Sequence, residues 1–366
     1  TCRRQRQMCI RDRPSVLGDY YQLFDGVTTA LDLEAGTFPV TDYAASIQGK
    51  AHINYGASAG YLSIRLMEKD GIATGDVMDL PSPKGLRGWY TAIRFFFTDF
   101  QSALSRSFTE YASDEELRQL ETLLKEGLDQ GGLGIGLPLD YISEAVDARE
   151  LDMVFRVSAQ RHAPVFVHIR RGINGDPGGL REVLALAEKH NNPLHICHIS
   201  HNAMGNIELF LREIRQARSR GVDVTTEVLP YNAGSTAIGA AVFGRDWQTI
   251  FNIDYKDVEW AATGERLNKS TFEEYRHNYP TEPVIHHYLK EDWTRRAIEE
   301  PGVIIVSDLI AMKSRDKLVP PHNGAFTKVL GRYVREKQAI SLNSAIEKMT
   351  LLPARRLQDY AAAFAR

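Results

Sequence analysis

Short runs of β-branched and apolar residues alternate along the chain with longer stretches in which apolar residues recur at helical spacing. From residue 25 onward this pattern predicts seven strands, over residues 27–34, 52–57, 132–137, 164–170, 193–200, 222–229 and 303–308. Strands that alternate with helices are typical of βα units around a parallel sheet. We therefore predict an α/β fold, a (β/α)8 TIM-type barrel that is incomplete because its first strand is missing.

Helices are predicted between the strands. Ser113 is followed by three acidic residues, which favour a helix start, and residues 178–190, 206–220 and 326–337 have apolar residues at helical spacing. Residues 243–301 interrupt this alternation of strands and helices. They are rich in aromatic residues, mixed in charge and long for a βα connection. We predict an insertion before the last strand, serving either as a lid over the barrel mouth or as added helical support.

The composition fits one such barrel. The chain has 366 residues, 43% hydrophobic and 25% charged, and a barrel of about 250 residues with insertions would use most of this length. The net charge of −3 and the lack of a basic stripe argue against nucleic acid and favour a small-molecule partner. Three cysteines make no disulfide framework, and neither a signal peptide nor a long apolar run is found, so we expect a cytoplasmic protein without a membrane partner.

The first thirteen residues, TCRRQRQMCIRDR, carry five arginines and one aspartate and lack apolar periodicity. They resemble a translated sequencing-adaptor read. We therefore predict that residues 1–13 are not native and that residues 14–366 form the barrel. The alternative is a basic arm that binds an anionic surface.

Ligand-type residues stand at the ends of three predicted strands: His168, His198 and Asp308. Parallel strands of a barrel present their carboxyl ends to one pocket, and zinc takes nitrogen and carboxylate ligands from separate segments. A lone histidine at a strand end is more often structural, but the three together favour metal-assisted hydrolysis. His195 and His201 flank His198. Since residues alternate faces along a strand, only one of His195 and His198 is expected to face the pocket.

In strand order and candidate ligands, the chain resembles the D-aminoacylase branch of the amidohydrolase superfamily, zinc-dependent N-acyl-D-amino-acid deacylases. The resemblance runs from about residue 25 to residue 356. It rests on the motifs DGVTT (25–29), NYGASAG (54–60), GIGLP (134–138), VHIR (167–170), ICHIS (196–200), PYNAGST (230–236), SD (307–308), GRYVRE (331–336) and MTLLPA (349–354).

The resemblance implies a site with one or two zinc ions. His168 and His198 would bind zinc, and Asp308 would be the base that takes a proton from water and returns it to the leaving amine. The His-x-His pair of the family's first strand is absent, as are its C-terminal strands, so the chain is expected to be an internal fragment. Glu34 stands near the family's cysteine ligand; it is expected either to bridge two ions or to cap the next segment.

Substrate contacts are predicted around the same pocket. Arg170 and Arg171 follow His168, and one of them would bind the carboxylate of an amino acid. Tyr231 would donate to the developing oxyanion or stack on the acyl group, or else only cover the barrel rim. Asn54 and Tyr141 are further substrate-binding candidates. The cluster Lys313, Arg315 and Lys317 is either an anion contact for an acidic side chain such as glutamate or an ordinary solvated patch.

Three functions stay open at this point. The first is hydrolysis of N-acyl-D-amino acids, with N-acyl-D-glutamate as one such substrate. The second is hydrolysis of a cyclic amide or dipeptide-like substrate, since the same site attacks any of these carbonyls. The third is a non-catalytic barrel that binds a small anion, because the metal site is incomplete.

Overall fold

The computed structural model describes residues 21–73, 82–83, 85–86, 88–91, 105–309 and 324–361. The adaptor-like residues 1–13 and the cluster Lys313, Arg315 and Lys317 lie outside this part of the chain. In the described residues the strands are β1 Thr29–Thr37, β2 Asn54–Gly60, β3 Ile72–Ala73, β4 Ser82–Pro83, β5 Ile135–Leu137, β6 Val165–Val167, β7 Leu194–Ile196, β8 Val224–Val228, β9 Gly234–Ala237, β10 Val258–Trp260, β11 Glu265–Arg266, β12 Pro283–His286 and β13 Val303–Ile305.

The main sheet has seven parallel strands in the order β1-β2-β5-β6-β7-β8-β13. Each of them falls on one of the seven strands predicted from the sequence, so the α/β prediction is confirmed. The sheet is curled, because the Glu34 side chain of β1 contacts histidines that follow β6 and β7, three and four positions away in the strand order. In the described residues β1 and β13 are not paired with each other, so the barrel is open between them.

Helices cover the outer face of this sheet. Their bounds in the described residues are Val40–Ile47, Tyr61–Asp70, Ser105–Thr109, Asp114–Asp129, Ala148–Arg161, Gly178–His190, Ile199–Ala203, Ile207–Ser219, Trp247–Phe251, Lys269–Asn278, Glu291–Glu299, Ala325–Lys328, Leu342–Met349 and Leu351–Ala361, with a π-helix over Val329–Glu336. The four predicted helices are confirmed, and Ser113 begins the first of them with a capping box to Glu116. No helix in the described part of the chain is long and apolar enough to cross a membrane.

The chain between β8 and β13 forms a second, antiparallel sheet with the strand order β11-β10-β12-β9. It begins at Gly234, earlier in the chain than the predicted insertion start at Phe243, because β9 pairs with β12. The insertion has its own aromatic core, in which the rings of Trp247 and Phe272 stack at 5.3 Å. Its aromatic residues therefore fold an independent layer beside the carboxyl ends of the barrel strands.

Candidate metal centre

Glu34 lies between two histidines in the interior of the curled sheet. Its Oε1 is 3.0 Å from Nδ1 of His168, and its Oε2 is 3.0 Å from Nε2 of His198. All three residues are buried, and their ligand atoms lie within 4.8 Å of one another. One carboxylate and two imidazoles are a donor set that suits zinc.

An irregularity in β1 aims Glu34 inward. The pairing of β1 with β2 is regular from Thr29 to Asp32 and resumes only at Thr37. Gly36 turns the chain with a φ of +62°, and a Cβ at this position would be 2.3 Å from Oγ of Ser58. The Glu-Ala-Gly sequence therefore allows a local bulge, a feature that often directs a side chain into a site.

The two histidines follow strands and reach the same point. His168 comes directly after β6, and His198 follows β7 in a left-handed conformation with a φ of +31°. His198 lines the pocket whereas His195 does not, so one of these two histidines faces it, as predicted. A positive φ is costly for a residue with a side chain and persists only where the surroundings hold it.

Electrostatics favour an anionic Glu34. Burial alone would raise the pKa of its carboxyl group, but the adjacent imidazoles of His198 and His168 outweigh burial and hold that pKa well below its usual range. Burial and the neighbouring His198 lower the pKa of His168, so this imidazole is neutral at neutral pH. An ionised carboxylate beside a neutral imidazole is the protonation state that metal binding requires.

A pocket opens above these residues. His168, His198, Tyr141, Arg171 and Asp308 line it. The rings of Tyr141 and His168 meet edge to face at 5.3 Å, and Asp308 has a φ of +57° at the end of the segment that follows β13. The structure thus brings together six of the residues predicted from the sequence, these five and Glu34.

The side chains of the neighbouring residues Arg170 and Arg171 point in different directions. Arg171 is buried, with Nη2 3.3 Å from Nε2 of His168 and the guanidinium group 5.0 Å from the centroid of the Phe251 ring. Arg170 points away from the pocket and donates to the carbonyl oxygens of Ser143 and Val146 and to Glu182. The prediction that Arg170 binds substrate is therefore corrected, because its guanidinium group is used within the scaffold.

Two further predicted substrate residues lie elsewhere. Asn54 is exposed at the first residue of β2, the end opposite the site, and its side chain donates to the carbonyl oxygen of Thr28 at 3.0 Å. Tyr231 is buried in the main core, does not line the pocket, and has Nζ of Lys328 4.9 Å above its ring. Both predictions are corrected: Asn54 is at the wrong end of its strand, and the Tyr231 ring packs under the helix Ala325–Lys328.

Several pocket residues were missed by the sequence reasoning. Asp140 accepts from the backbone N–H of Arg171 and from Nη2 of Arg245, both at 2.9 Å, and its Oδ2 is 3.6 Å from Nε2 of His168. Its position shortly after β5 is the same strand-end signal that revealed the histidines. For His286 and Tyr288, no such signal exists, because the insertion brings them to the pocket.

These charges define two zones in the pocket. The arginines beside Asp140 outweigh the effect of burial and lower the pKa of its carboxyl group, so Asp140 is ionised and paired with cations. Burial and the nearby Arg171 lower the pKa of His286 to about 3, so this imidazole is neutral. The anionic Glu34 and its two histidines thus lie beside the buried guanidinium group of Arg171, an arrangement suited to a metal ion and an anionic substrate.

Curated relatives that match the chain by sequence include the following two. N-acyl-D-glutamate deacylase of Alcaligenes xylosoxydans xylosoxydans is 28% identical over 263 residues, 66% of this chain and 51% of that protein. D-aminoacylase of the same organism is 25% identical over 278 residues, 70% of this chain and 54% of that protein. The chain therefore spans about half the length of the curated relatives that it matches. No protein-family model matches the chain.

The fold has a close counterpart among solved structures. The crystal structure of N-acyl-D-glutamate deacylase from Bordetella bronchiseptica, complexed with zinc and a phosphonate inhibitor, superposes with a TM-score of 0.72 and 21% sequence identity. The match covers 98% of this chain and 74% of that one. By sequence and by fold, the chain is therefore similar to proteins of the D-aminoacylase branch, which confirms the resemblance seen in its motifs.

Proposed function

We propose that the chain carries the metal centre of a zinc-dependent hydrolase that cleaves the amide bond of N-acyl-D-amino acids. The observation that carries this proposal is the Glu34 carboxylate, whose two oxygens each lie 3.0 Å from one histidine nitrogen. The names of both curated relatives and the zinc in the Bordetella structure support the same chemistry.

Glu34, Nδ1 of His168 and Nε2 of His198 would hold the ion. When bound there, zinc supplies Lewis acidity, which polarises a carbonyl group and lowers the pKa of water. Glu34 offers both carboxylate oxygens, so the site suits one ion or two ions that share this carboxylate. Asp140 lies 3.6 Å from Nε2 of His168 and orients that ring from the other side.

Asp308 is the proposed general base. It lines the pocket together with His198 and His168. It would accept a proton from the attacking water and deliver it to the leaving amine nitrogen as the amide bond breaks.

Arg171 is the proposed binding group for the carboxylate of the substrate. It is a buried guanidinium group on the pocket wall, fixed over Phe251 and beside Asp140. Guanidinium groups bind carboxylates in bidentate geometry, and an N-acyl amino acid offers one such carboxylate close to the scissile amide. Tyr141 lines the same wall and would contact the acyl portion.

The preference for an acidic side chain, as in N-acyl-D-glutamate, is a finer part of this proposal. It is supported by the name of the first relative and by the second cation, Arg245, held 2.9 Å from Asp140. We also propose that the insertion acts as a lid, since its residues Gly234, Ser235, Thr236, His286 and Tyr288 line the pocket.

The test is a substrate panel measured with zinc-loaded and chelator-treated protein. The panel contains N-acetyl-D-glutamate, N-acetyl-L-glutamate, N-acetyl-D-leucine, a cyclic amide and a dipeptide. We expect zinc-dependent turnover of the N-acetyl-D-amino acids and little turnover of the L-enantiomer. Turnover of the cyclic amide or dipeptide alone would favour a hydrolase of cyclic amides or dipeptide-like substrates. Anion binding without any turnover would favour a non-catalytic barrel.

A further inference from the structure

A cavity of about 620 Å³ lies at the end of the barrel opposite the metal centre. Its lining includes residues that directly precede strands: Pro164 before β6, Pro193 before β7 and Asp223 before β8. His168 and His198 follow β6 and β7, so the cavity and the metal centre lie at opposite ends of the same parallel strands. A volume of this size is in the range of small-molecule sites, so the cavity is large enough for a ligand of its own.

Arg356 contributes a buried guanidinium group to the lining of this cavity. It lies on the helix Leu351–Ala361, and its side chain is only 4% exposed. Its Nη1 donates to Oδ1 of Asp223 at 2.7 Å, whereas its Nε and Nη2 have no hydrogen-bond acceptor among the described residues. Buried N–H donors without an acceptor are costly and rare in folded proteins. The Arg356 side chain therefore calls for a ligand that accepts hydrogen bonds.

The two unpaired nitrogens of Arg356 lie on one edge of its guanidinium group. Their N–H bonds run parallel on the side away from Nη1, and such a pair binds both oxygens of a carboxylate or phosphate group. Asp223 pairs only with Nη1 and is itself largely exposed, so water screens its charge. A single oxyanion would thus supply both missing acceptors.

The charges of the lining also favour an anion. Arg161 donates to both carboxylate oxygens of Asp129, at 2.6 and 3.0 Å. Arg355 is exposed and makes no ion pair in the part of the chain that the structure describes. Among the described residues that line the cavity, Asp223 is the one carboxylate, and it pairs with Arg356. The charge of Arg355 is therefore not balanced, and a positive potential attracts anions to the cavity.

We propose that this cavity binds a small organic anion. Its carboxylate or phosphate group would accept from Nε and Nη2 of Arg356, and its apolar portion would contact Ile304 and Leu352, which line the same cavity. The site is separate from the metal centre, so this inference does not depend on the proposed function.

The experiment measures anion binding by isothermal titration calorimetry, with phenyl phosphate and with benzoate, at constant ionic strength in sodium chloride. We expect saturable binding of at least one of the two anions to the wild type. Arg356→Met should weaken this binding about 10–100-fold, the range expected for lost hydrogen bonds to a charged group. Arg356→Lys keeps the charge but lacks the parallel N–H pair, so it should also bind less tightly. Tighter binding of phenyl phosphate would identify a phosphate ligand, and tighter binding of benzoate a carboxylate ligand.

Arg220→Gln is the matched control. Arg220 is a partly exposed arginine paired with Glu188, and it does not line the cavity. This change removes one positive charge, as Arg356→Met does, but should leave the anion affinity unchanged. Should Arg356→Met fail to fold, Arg355→Ala replaces it. Arg355 is exposed, so this variant should fold, and a loss of affinity of about twofold to fivefold is expected.

The same titrations in Arg171→Met separate this cavity from the metal centre, where Arg171 is the proposed anion-binding group. Binding that persists in Arg171→Met and weakens in Arg356→Met supports the proposal. It is overturned if the wild type shows no saturable binding, or if folded Arg356→Met, or Arg355→Ala in its place, binds as tightly as the wild type. Complete loss of binding in Arg171→Met would also overturn it, because the anion would then bind at the metal centre. Zinc-dependent turnover tests the proposed function independently of all these outcomes.

Discussion

At the scale of single residues, Asp308 provides the most direct test of the proposed chemistry. Asp308→Asn should lower turnover by at least about 100-fold, since asparagine cannot accept the proton from water. Asparagine tolerates a positive φ such as the +57° of Asp308, so the backbone should not change. The measurement is kcat together with bound zinc. Retained turnover, or loss of zinc along with activity, would defeat the assignment of Asp308 as base.

Arg171 gives a second prediction at this scale. Arg171→Met removes the buried cation but keeps a side chain of similar length over Phe251. A hydrogen bond to a charged group contributes about 1.5–3 kcal/mol, so KM for N-acyl-D-amino acids should rise about 10–100-fold. An amide analogue that lacks the carboxylate serves as the control, and its KM should stay unchanged. A similar rise for both compounds would argue against carboxylate recognition by Arg171.

At the scale of elements, ion pairs fasten neighbouring helices to one another. Glu121 on the helix Asp114–Asp129 accepts from Nη1 and Nη2 of Arg156 on the helix Ala148–Arg161, at 2.9 and 2.8 Å. The hydrogen bonds from Arg156 outweigh partial burial and lower the pKa of Glu121 to about 2. Because the folded-state pKa is depressed, this contribution to stability is present above the ordinary glutamate pKa and is lost as the pH falls toward 2.

Glu121→Gln should therefore lower the urea midpoint at about pH 7, and this deficit should shrink at about pH 3. The effect is expected to be modest, since Arg156 is partly exposed and solvent screens the pair. Glu126→Gln, on the same helix but without an ion pair among the described residues, should show no such pH-dependent deficit. A Glu121→Gln deficit of the same size at both pH values would contradict the prediction.

At the scale of the whole molecule, a single aspartate connects the two ends of the open sheet. Asp25 precedes β1, and its Oδ2 and Oδ1 accept from the backbone N–H groups of Phe326 and Thr327, both at 2.8 Å. These two residues lie in the first turn of the helix Ala325–Lys328, which follows β13 in the chain. Across 301 positions of sequence, Asp25 thus joins the edge strands that are not paired with each other in the described residues.

Asp25→Ala should cost about 1–2 kcal/mol of unfolding free energy, in the range of a lost helix cap. Hydrogen exchange should accelerate at Phe326 and Thr327, whose amides lose their acceptor. Asp25→Asn keeps one acceptor oxygen and should lose less. Unchanged protection at these two amides in Asp25→Ala would show that the contact does not hold the helix.

The sequence predicted much of the fold because its signals are local. Strand positions follow from β-branched runs, and the helix at Ser113 follows from its capping box. The positions of His168, His198 and Asp308 at strand ends also predicted that they are neighbours, and the family resemblance added Glu34. Asn54 and Tyr231 were predicted as substrate contacts, but Asn54 begins its strand and the ring of Tyr231 turns into the core.

The sequence by itself therefore determined the α/β architecture, the metal-ligand types and the family resemblance, since these depend on periodicity and on residue chemistry at strand ends. Tertiary structure decided which of two adjacent arginines faces the pocket, because Arg170 is bound by carbonyl groups that come from a distant loop. It also brought His286 to the pocket through an inserted sheet. Long-range contacts of this kind leave no periodic signal in the chain, so only the folded molecule reveals them.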